Sequence, residues 1–438
     1  MAKTRARPAA PPAARSVALA LVGQVLARSK PLDQVLAESR DLARLETRDR
    51  AFARLLVVTL LRRLGQVDAV LGHCLERPLA PAMARTRGIL RLGAVQLLFL
   101  GTPAHAAVSE SLALAEAVGQ GRAKGLINAV LRRIDREGEG VLADQDAARL
   151  NTPTWLWQSW SETYGEETTR AIAEAHLAEP PLDLSVKADP AVWAERLSAE
   201  LLPTGGLRLE SGQGAVERLA GYEEGAWWVQ DAAATLPARL LGDVKGLRIA
   251  DLCAAPGGKT AQLAAAGAEV VAVERTRSRA RRLEQNLARL QLSAEVVVAD
   301  ARSWQPDQPF DAVLLDAPCS ATGTLRRHPD IAWLKAPADL PPLVALQDAL
   351  LDAAVAMLAP GGLLVYATCS LQPEEGPDRI AALLSRRPDL SLVPVEPAEL
   401  PGLAEAVTKE GYLRSLPCHW SARGGLDGFF AARLRRYA

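Results

Sequence analysis

Hydrophobic positions divide this chain into regimes with different periods. From Val17 to about Glu137 apolar residues recur three or four apart, as in Phe52-Ala53-Leu55-Leu56-Leu60, Ile89-Leu90-Leu92-Val95-Leu98 and Leu126-Ile127-Val130-Leu131-Ile134. That spacing lines one face of a helix. Breaks fall at Pro78/Pro81, at Gly101-Thr102-Pro103 and at Gly119/Gly121, where proline and glycine interrupt regular structure. The pattern predicts an all-α domain of about six helices over residues 16–138. An acidic, weakly patterned stretch follows, and 139–150 is expected to be a linker. Trp155, Trp157, Trp160 and Tyr164 open the next segment after Pro153. Residues 151–226 read as a small α+β module with one clear strand candidate, Leu182–Val186.

At Trp227 the pattern changes to apolar runs alternating with helical segments. Strands are predicted at Leu247–Leu252, Glu269–Val273, Ala294–Ala299, Ala312–Leu315, Gly362–Ala367 and Phe429–Leu434, and helices at Thr260–Ala265, Ser278–Leu290 and Leu343–Leu358. Such alternation predicts a doubly wound parallel sheet, so 227–438 is expected to be an α/β Rossmann-like domain. The strand after Gly424-Gly425 is expected to join it antiparallel.

Two of the buried-strand signals run straight into thiol-bearing turns. One continues as Asp316-Ala317-Pro318-Cys319-Ser320-Ala321-Thr322-Gly323, and the other as Thr368-Cys369-Ser370. In open α/β sheets ligands bind outside the carboxyl ends of the strands. Asp316, Cys319 and Cys369 are therefore expected to converge on one cleft. A third strand leads into Asp251-Leu252-Cys253-Ala254-Ala255-Pro256-Gly257-Gly258-Lys259-Thr260. Small residues there let the backbone approach a ligand, and the free amides of the following helix face anionic groups. A phosphate-binding P-loop fails at Cys253, which stands where the first glycine is needed, and the GxGxxG fingerprint is absent. What remains is a nucleoside site. Glu274 closes the second strand, where a carboxylate can accept both ribose hydroxyls, and Asp300 closes the third, within reach of an adenine amino group. With nothing to suggest hydride chemistry, S-adenosylmethionine fits better than NAD.

Composition narrows the classes. At 438 residues, 49% apolar and 23% charged, the chain is expected to form two or three soluble domains. No apolar run approaches the roughly 20 residues of a membrane span, so no membrane partner is expected. Five scattered cysteines do not make a disulfide framework and fit a reducing cytoplasm. Without a CxxC pair or a histidine cluster, no zinc site is expected. The net charge of zero conceals an asymmetry: residues 1–138 carry 22 Lys+Arg against 11 Asp+Glu, and the remainder 29 against 40. The front is thus +11 and the back −11. A polyanionic partner and a merely solvated set of arginines are both compatible with that split. Residues 1–15, with Arg5, Arg7 and Arg15 and no acid, are expected to be a disordered basic tail.

The chemistry that needs a carboxylate, thiols and a methyl donor is methylation at carbon 5 of a pyrimidine. That carbon is too weak a nucleophile until a thiolate adds at carbon 6, and a carboxyl group at N3 stabilises the adduct. Spacing alone leaves open which thiol attacks. The three motifs at 251–260, 316–323 and 368–370 resemble the cytosine-C5 RNA methyltransferases of the Nol1/Nop2/Sun type. Pro103 to Glu110 and Lys124 to Arg132 resemble the NusB-type RNA-binding fold, so nearly the whole chain is similar to the RsmB (Sun) group acting on 16S rRNA. Arg326 to Trp333, Gln230 to Ala233 and Asp427 to Phe430 support the match.

The resemblance implies that Cys369 is the nucleophile, that Cys319 assists release by helping to remove the carbon-5 proton, and that Asp316 holds the cytosine. It implies that Cys253, Ala254, Ala255, Pro256, Gly257, Gly258 and Lys259, with Glu274, Asp300 and Asp316, surround S-adenosylmethionine. RNA, not DNA, is the implied partner. Departures from the family pattern are Leu184-Ser185-Val186-Lys187 in the middle module, Glu374-Glu375-Gly376 after the second thiol, and glutamate rather than aspartate at 274. Cytosine-C5 methylation of transfer RNA or another RNA, or a non-catalytic RNA-binding assembly factor, are the alternatives.

Overall fold

The structure, a computed structural model, describes residues 14–212 and 214–437. The expected basic tail lies outside them except for Ala14 and Arg15, which already belong to a helix. Two compact units divide the chain.

The first unit holds α1 (Ala14–Arg28), α2 (Leu32–Glu38), α3 (Arg40–Arg44), α4 (Thr47–Arg62), α5 (Leu64–Cys74), α6 (Ala84–Leu98), α7 (Ala104–Ala117), α8 (Lys124–Ala143) and α9 (Ala147–Leu150). The helical period places the core correctly: Leu56, Leu60, Ile89, Leu92, Val95, Ile127, Val130, Leu131 and Ile134 are all buried. Leu55, expected beside them, points outward. The expected linker 139–150 is instead the end of α8 followed by α9. Its anchoring is polar and steric, which periodicity cannot detect. Asn151 donates to Gln66 and Ala147 at 2.9 Å, and Leu150 carries its carbonyl so close to Gly65 that a Cβ there would meet it at 1.8 Å.

Residues His328–Leu334 also belong to this unit, so the expected domain 227–438 is not continuous. Asp330 accepts from the Leu32 amide at the start of α2 at 2.8 Å, supplying the cap that Pro31 cannot. Trp333 donates to the Leu61 carbonyl at 2.8 Å.

The second unit opens with most of α10 (Thr154–Tyr164), then α11 (Glu166–Ala175). A four-stranded antiparallel sheet follows in the order β2-β3-β1-β4, from β1 (Leu182–Val186), β2 (Glu200–Leu201), β3 (Leu207–Leu209) and β4 (Trp227–Val229), with α12 (Pro190–Leu197) between β1 and β2. Trp227–Val229, expected to open the catalytic domain, is the edge strand of this small sheet, paired with β1. Its apolar core is Leu184, Leu207, Leu209 and Trp227, and a buried Asp183–Arg208 pair with both bonds at 2.7 Å spans β1 and β3.

The large sheet has the order β10-β12-β9-β8-β5-β6-β7, with β11 also paired to β12. Its members are β5 (Arg248–Leu252), β6 (Glu269–Val273), β7 (Glu295–Val297), β8 (Phe310–Asp316), β9 (Leu358–Thr368), β10 (Leu390–Leu392), β11 (Leu413–Ser415) and β12 (Phe429–Arg436). The five strands from β9 to β7 are parallel, and β12 joins β9 antiparallel as expected. In chain order the parallel set reads 3-2-1-4-5, the doubly wound arrangement with its switch point between β5 and β8. α13 (Ala232–Arg239) and α14 (Gly258–Ala265) cover one face with Ile249, Ala312 and Leu314. α17 (Leu340–Ala356) and α18 (Pro377–Arg386) cover the other with Ala250, Val313 and Leu315. Both faces being covered explains the unbroken apolar runs. α15 (Arg277–Leu290) follows β6 in the chain, and the short α16 (Ile331–Leu334) belongs to the first unit. α17 begins three residues before the expected Leu343 because Pro341 and Pro342 fall in its first turn, where no amide is required.

Candidate active site

The switch point decides which side chains meet. Leu252 of β5 is in register with Leu315 of β8, and Asp316 of β8 with Ala367 of β9. Asp251, Asp316 and the two thiol turns therefore leave adjacent strands at the same edge.

On the cofactor side Asp251 is buried. Its Oδ2 accepts from the Thr260 hydroxyl at 2.5 Å, while Oδ1 has no hydrogen-bond partner among the described residues. Burial pushes this carboxyl up to about 7. Cys253 sits at φ +63°, the left-handed region that favours glycine, and burial pushes its thiol up to about 12. It is a packed, protonated residue of the turn. Gly257, at φ +102°, leads into α14. Lys259 is buried with its Nζ 2.8 Å from Asp316 Oδ2 and 5.0 Å from the centre of the Phe429 ring. Burial works against its charge, but Asp316 and Asp251 outweigh that and hold the ammonium more firmly than in free lysine.

Glu274 is also buried. Its Oε1 accepts from the Thr276 amide at 2.8 Å. Oε2 lies 3.2 Å from Arg279 without the alignment of a hydrogen bond. Two buried carboxylate oxygens, on Asp251 and Glu274, thus lack hydrogen bonds at the end of adjacent strands. Buried acceptors are ordinarily satisfied, and a nucleoside with ribose hydroxyls and amine supplies the missing donors. The residues present fit S-adenosylmethionine.

Asp300 stands apart from this pair. β7 ends at Val297, so Asp300 lies three residues past the strand rather than directly at its end. Arg302 grips its carboxylate at 2.5–3.2 Å, and those hydrogen bonds hold the carboxyl down at about 2. Among the described residues no group of three or more His, Cys, Asp or Glu is arranged to hold a metal ion.

On the chemical side the sulfurs of Cys319 and Cys369 are 3.5 Å apart. The parallel pairing of β8 and β9 continues into the turns: Ala317 donates to the Ala367 carbonyl and Gly323 to the Cys369 carbonyl, each at 2.9 Å. The hydrogen bond to Cys369, then burial, then the charges of Cys369 and Glu375 push the Cys319 thiol well above its ordinary value. Cys319 therefore keeps its proton. The charges of Lys259 and of Arg327, which is itself bonded to Asp427 through Nε at 2.8 Å, both reach Cys369.

Other side chains were not singled out by sequence reasoning. Glu375 is fully buried behind the two thiols, and Arg327–Asp427 flanks them. They stood in the sequence only within stretches quoted for the family resemblance or its departures, without a role, because sequence does not distinguish a buried acid from an exposed one. The aromatic start of α10 packs rather than lying open: Trp160 is buried and donates to Gln372 at 2.8 Å, and Tyr164 donates to the Leu371 carbonyl at 2.5 Å. In the middle module Lys187 is engaged by the Leu290 carbonyl at 2.8 Å and Ser185 by Gln230 at 2.9 Å.

Comparison with known proteins agrees with this geometry. Residues 238–435 match the family described as 16S rRNA methyltransferase RsmB/F, and residues 12–136 match the NusB family. The chain is 37% identical over 440 residues to ribosomal RNA small subunit methyltransferase B of Cronobacter sakazakii, covering 96% of this chain and 98% of that one. It is 38% identical over 445 residues to the protein of the same name from Pseudomonas putida, covering 97% and 98%. The crystal structure of PH0851 superposes over 99% of this chain and 100% of its own with a TM-score of 0.76 at 22% identity, a likeness of fold. Near full-length identity to these relatives, with the family match over residues 238–435, establishes that the chain belongs to the RsmB/F family of S-adenosylmethionine-dependent 16S rRNA methyltransferases.

Proposed function

We propose that the methyl group is placed on carbon 5 of a cytosine in 16S rRNA, through a covalent adduct between Cys369 and carbon 6 of the base. The observation that carries this reading is the pair of sulfurs 3.5 Å apart just past the ends of the adjacent strands β8 and β9, the first of which ends in Asp316. Bound S-adenosylmethionine supplies an electrophilic methyl group. Asp251, Glu274 and the turn Cys253–Lys259 hold its nucleoside, and Asp300 lies at the same edge of the sheet.

Asp316, whose side chain is 32% exposed, is the carboxylate a flipped base can reach, and its carboxyl group at N3 stabilises the adduct. The Cys369 sulfur forms a bond to carbon 6 as the carbon 5–carbon 6 π pair moves onto carbon 5, which takes the methyl group. Loss of the carbon-5 proton then restores the double bond and expels the Cys369 thiolate. Cys319 suits that last step. Its proton is held chiefly by the hydrogen bond to Cys369, an interaction that weakens once Cys369 is bonded to carbon. Its sulfur takes the carbon-5 proton as its own proton passes to the departing Cys369 sulfur 3.5 Å away, so both cysteines leave the step as thiols. The target base must leave its stack, since attack is perpendicular to the ring. Two thiols that must both stay reduced suit the cytoplasm. No helix among the described residues is long and apolar enough to cross a membrane.

The test is denaturing electrophoresis of Cys319→Ala with 16S rRNA and S-adenosylmethionine, beside wild type and the double variant with Cys369→Ala. A retarded protein–RNA adduct is expected in the single variant and none in the double. An adduct that survives loss of Cys369 overturns the assignment.

A further inference from the structure

Glu375 is a fully buried carboxylate that none of the steps above uses. It follows Cys369 by six residues, in the short turn Pro373–Glu375 that leads into α18. Its Oε1 accepts from the Ser320 amide at 2.9 Å and from the Gln347 side-chain amide at 3.0 Å. Its Oε2 accepts a short hydrogen bond from the Ser320 hydroxyl. Ser320 immediately follows Cys319, so the carboxylate holds the first thiol turn at its backbone and at its side chain together.

The second turn is tied to the same point. The Ser320 and Ser370 hydroxyls are 3.0 Å apart, and Ser370 immediately follows Cys369. Thr322 lies 3.3 Å from Ser370 and accepts from the Leu371 amide at 3.0 Å. The main-chain carbonyl of Glu375 accepts from Tyr366 at 2.8 Å and Thr368 at 3.2 Å, both on β9. Gln347 of α17 reaches the Pro318 carbonyl at 2.9 Å as well as the carboxylate.

A buried charged acceptor makes stronger hydrogen bonds than a neutral one, and leaving its donors unpaired is costly. The two cysteines stand on turns that leave different strands, and nothing covalent holds them together. A reacting geometry needs them held to fractions of an ångström.

We propose that Glu375 is the positioning residue of this site, clamping the Cys319 turn to the Cys369 turn through Ser320 so that Cys319 faces the Cys369–base adduct and can release it. The proposal rests on the cysteine roles given above. It assigns Glu375 of the Glu374-Glu375-Gly376 loop to the release step. The second glutamate of that loop points into the protein and does not face RNA.

The test compares Glu375→Ala, Glu375→Gln and Ser320→Ala with wild type and Cys319→Ala, using 16S rRNA and S-adenosylmethionine. Turnover, KM for RNA and the adduct on denaturing gels are read for each. Glu375→Ala is expected to lower kcat about a hundredfold, the scale for misplacing a reacting group by about 1 Å, with KM for RNA unchanged and the adduct accumulating as in Cys319→Ala. Glu375→Gln keeps an oxygen for the Ser320 and Gln347 amides and is expected to restore most of the turnover. Ser320→Ala keeps the backbone bond but loses the hydroxyl bridge, and is expected to accumulate adduct to a smaller extent. It also keeps the proposal testable should Glu375→Ala not fold.

A merely structural role would lower the amount of folded enzyme without trapping an adduct. Wild-type turnover in Glu375→Ala, or lost turnover without adduct in both Glu375→Ala and Ser320→Ala while Cys319→Ala still traps it, overturns the clamp. Absence of adduct in Cys319→Ala itself would instead overturn the cysteine assignment.

Discussion

Replacing Gly323 by alanine tests whether the spacing of the thiol turns is set by backbone contact. A Cβ at this position would lie 2.0 Å from the Gly428 carbonyl oxygen, 2.7 Å from its carbon and 2.9 Å from the Cys369 carbonyl oxygen. All three are main-chain atoms of neighbouring segments, so no side chain can swing aside. Bringing the closest contact to ordinary van der Waals separation requires the turn to withdraw by more than about 1 Å. Withdrawal breaks the bonds from Gly323 to Cys369 (2.9 Å) and from Gly428 to Gly323 (2.8 Å). At about 1 kcal/mol for each bond, and about 1 kcal/mol or more of overpacking, the variant is expected to lose about 3 kcal/mol of stability. The 3.5 Å sulfur spacing is lost with it, which should slow single-turnover methyl transfer about a hundredfold. Urea unfolding and single-turnover assays at saturating RNA measure the two effects. Gly140→Ala is the control: it lies in α8 with nothing within 4 Å of the added carbon, and should gain roughly 0.5–1 kcal/mol from reduced chain entropy. An unchanged urea midpoint and a wild-type rate in Gly323→Ala would refute the reasoning.

Asp251 predicts a pH effect on stability. Its carboxyl is raised to about 7 by burial from about 3.9 in an unfolded chain. The folded state therefore binds the extra proton between those values, and stability falls as pH rises through that window, by at most about 1.4 kcal/mol per unit. Asp251→Asn should flatten the fall in thermal midpoint measured from about pH 5 to pH 7, and parallel profiles for the two proteins would contradict it. Glu274→Gln keeps an acceptor for the Thr276 amide but loses the charge offered to the ribose. It should weaken S-adenosylmethionine about tenfold or more by calorimetry, the value of a charged hydrogen bond, with the fold intact. Unchanged affinity would remove Glu274 from the site.

Local pattern carried most of the element assignments because burial imposes a period that survives in one dimension. The apolar runs Glu269–Val273 and Ala312–Leu315 read directly as strands, since a parallel strand covered on both faces needs no polar position. The motifs likewise marked one glycine-containing turn and two thiol turns, because strand ends followed by small and polar residues mark where a sheet opens to ligands. Polar and steric attachments left no such trace. The 139–150 stretch looked like a linker because α9 is held by Asn151, Gln66 and the absence of a side chain at Gly65 rather than by an apolar stripe. His328–Leu334 looked continuous with the catalytic domain, yet Asp330 and Trp333 are spent on α2 and α4.

What the chain by itself determined is therefore the principal strands and helices of the catalytic domain, in their order along the chain, and the candidate side chains that follow the strand ends. Tertiary structure alone decided which of those side chains share a proton, a charge or a wall. Asp316 is paired with Lys259, 57 residues away, because β5 and β8 are neighbours at the switch point. Asp300 is taken up by Arg302 two positions on, and Glu375 is turned inward onto Ser320. Periodicity is enforced residue by residue along a segment, whereas the partners of a buried charge are fixed by strand order and register, which bring together residues whose separation in the chain carries no signal.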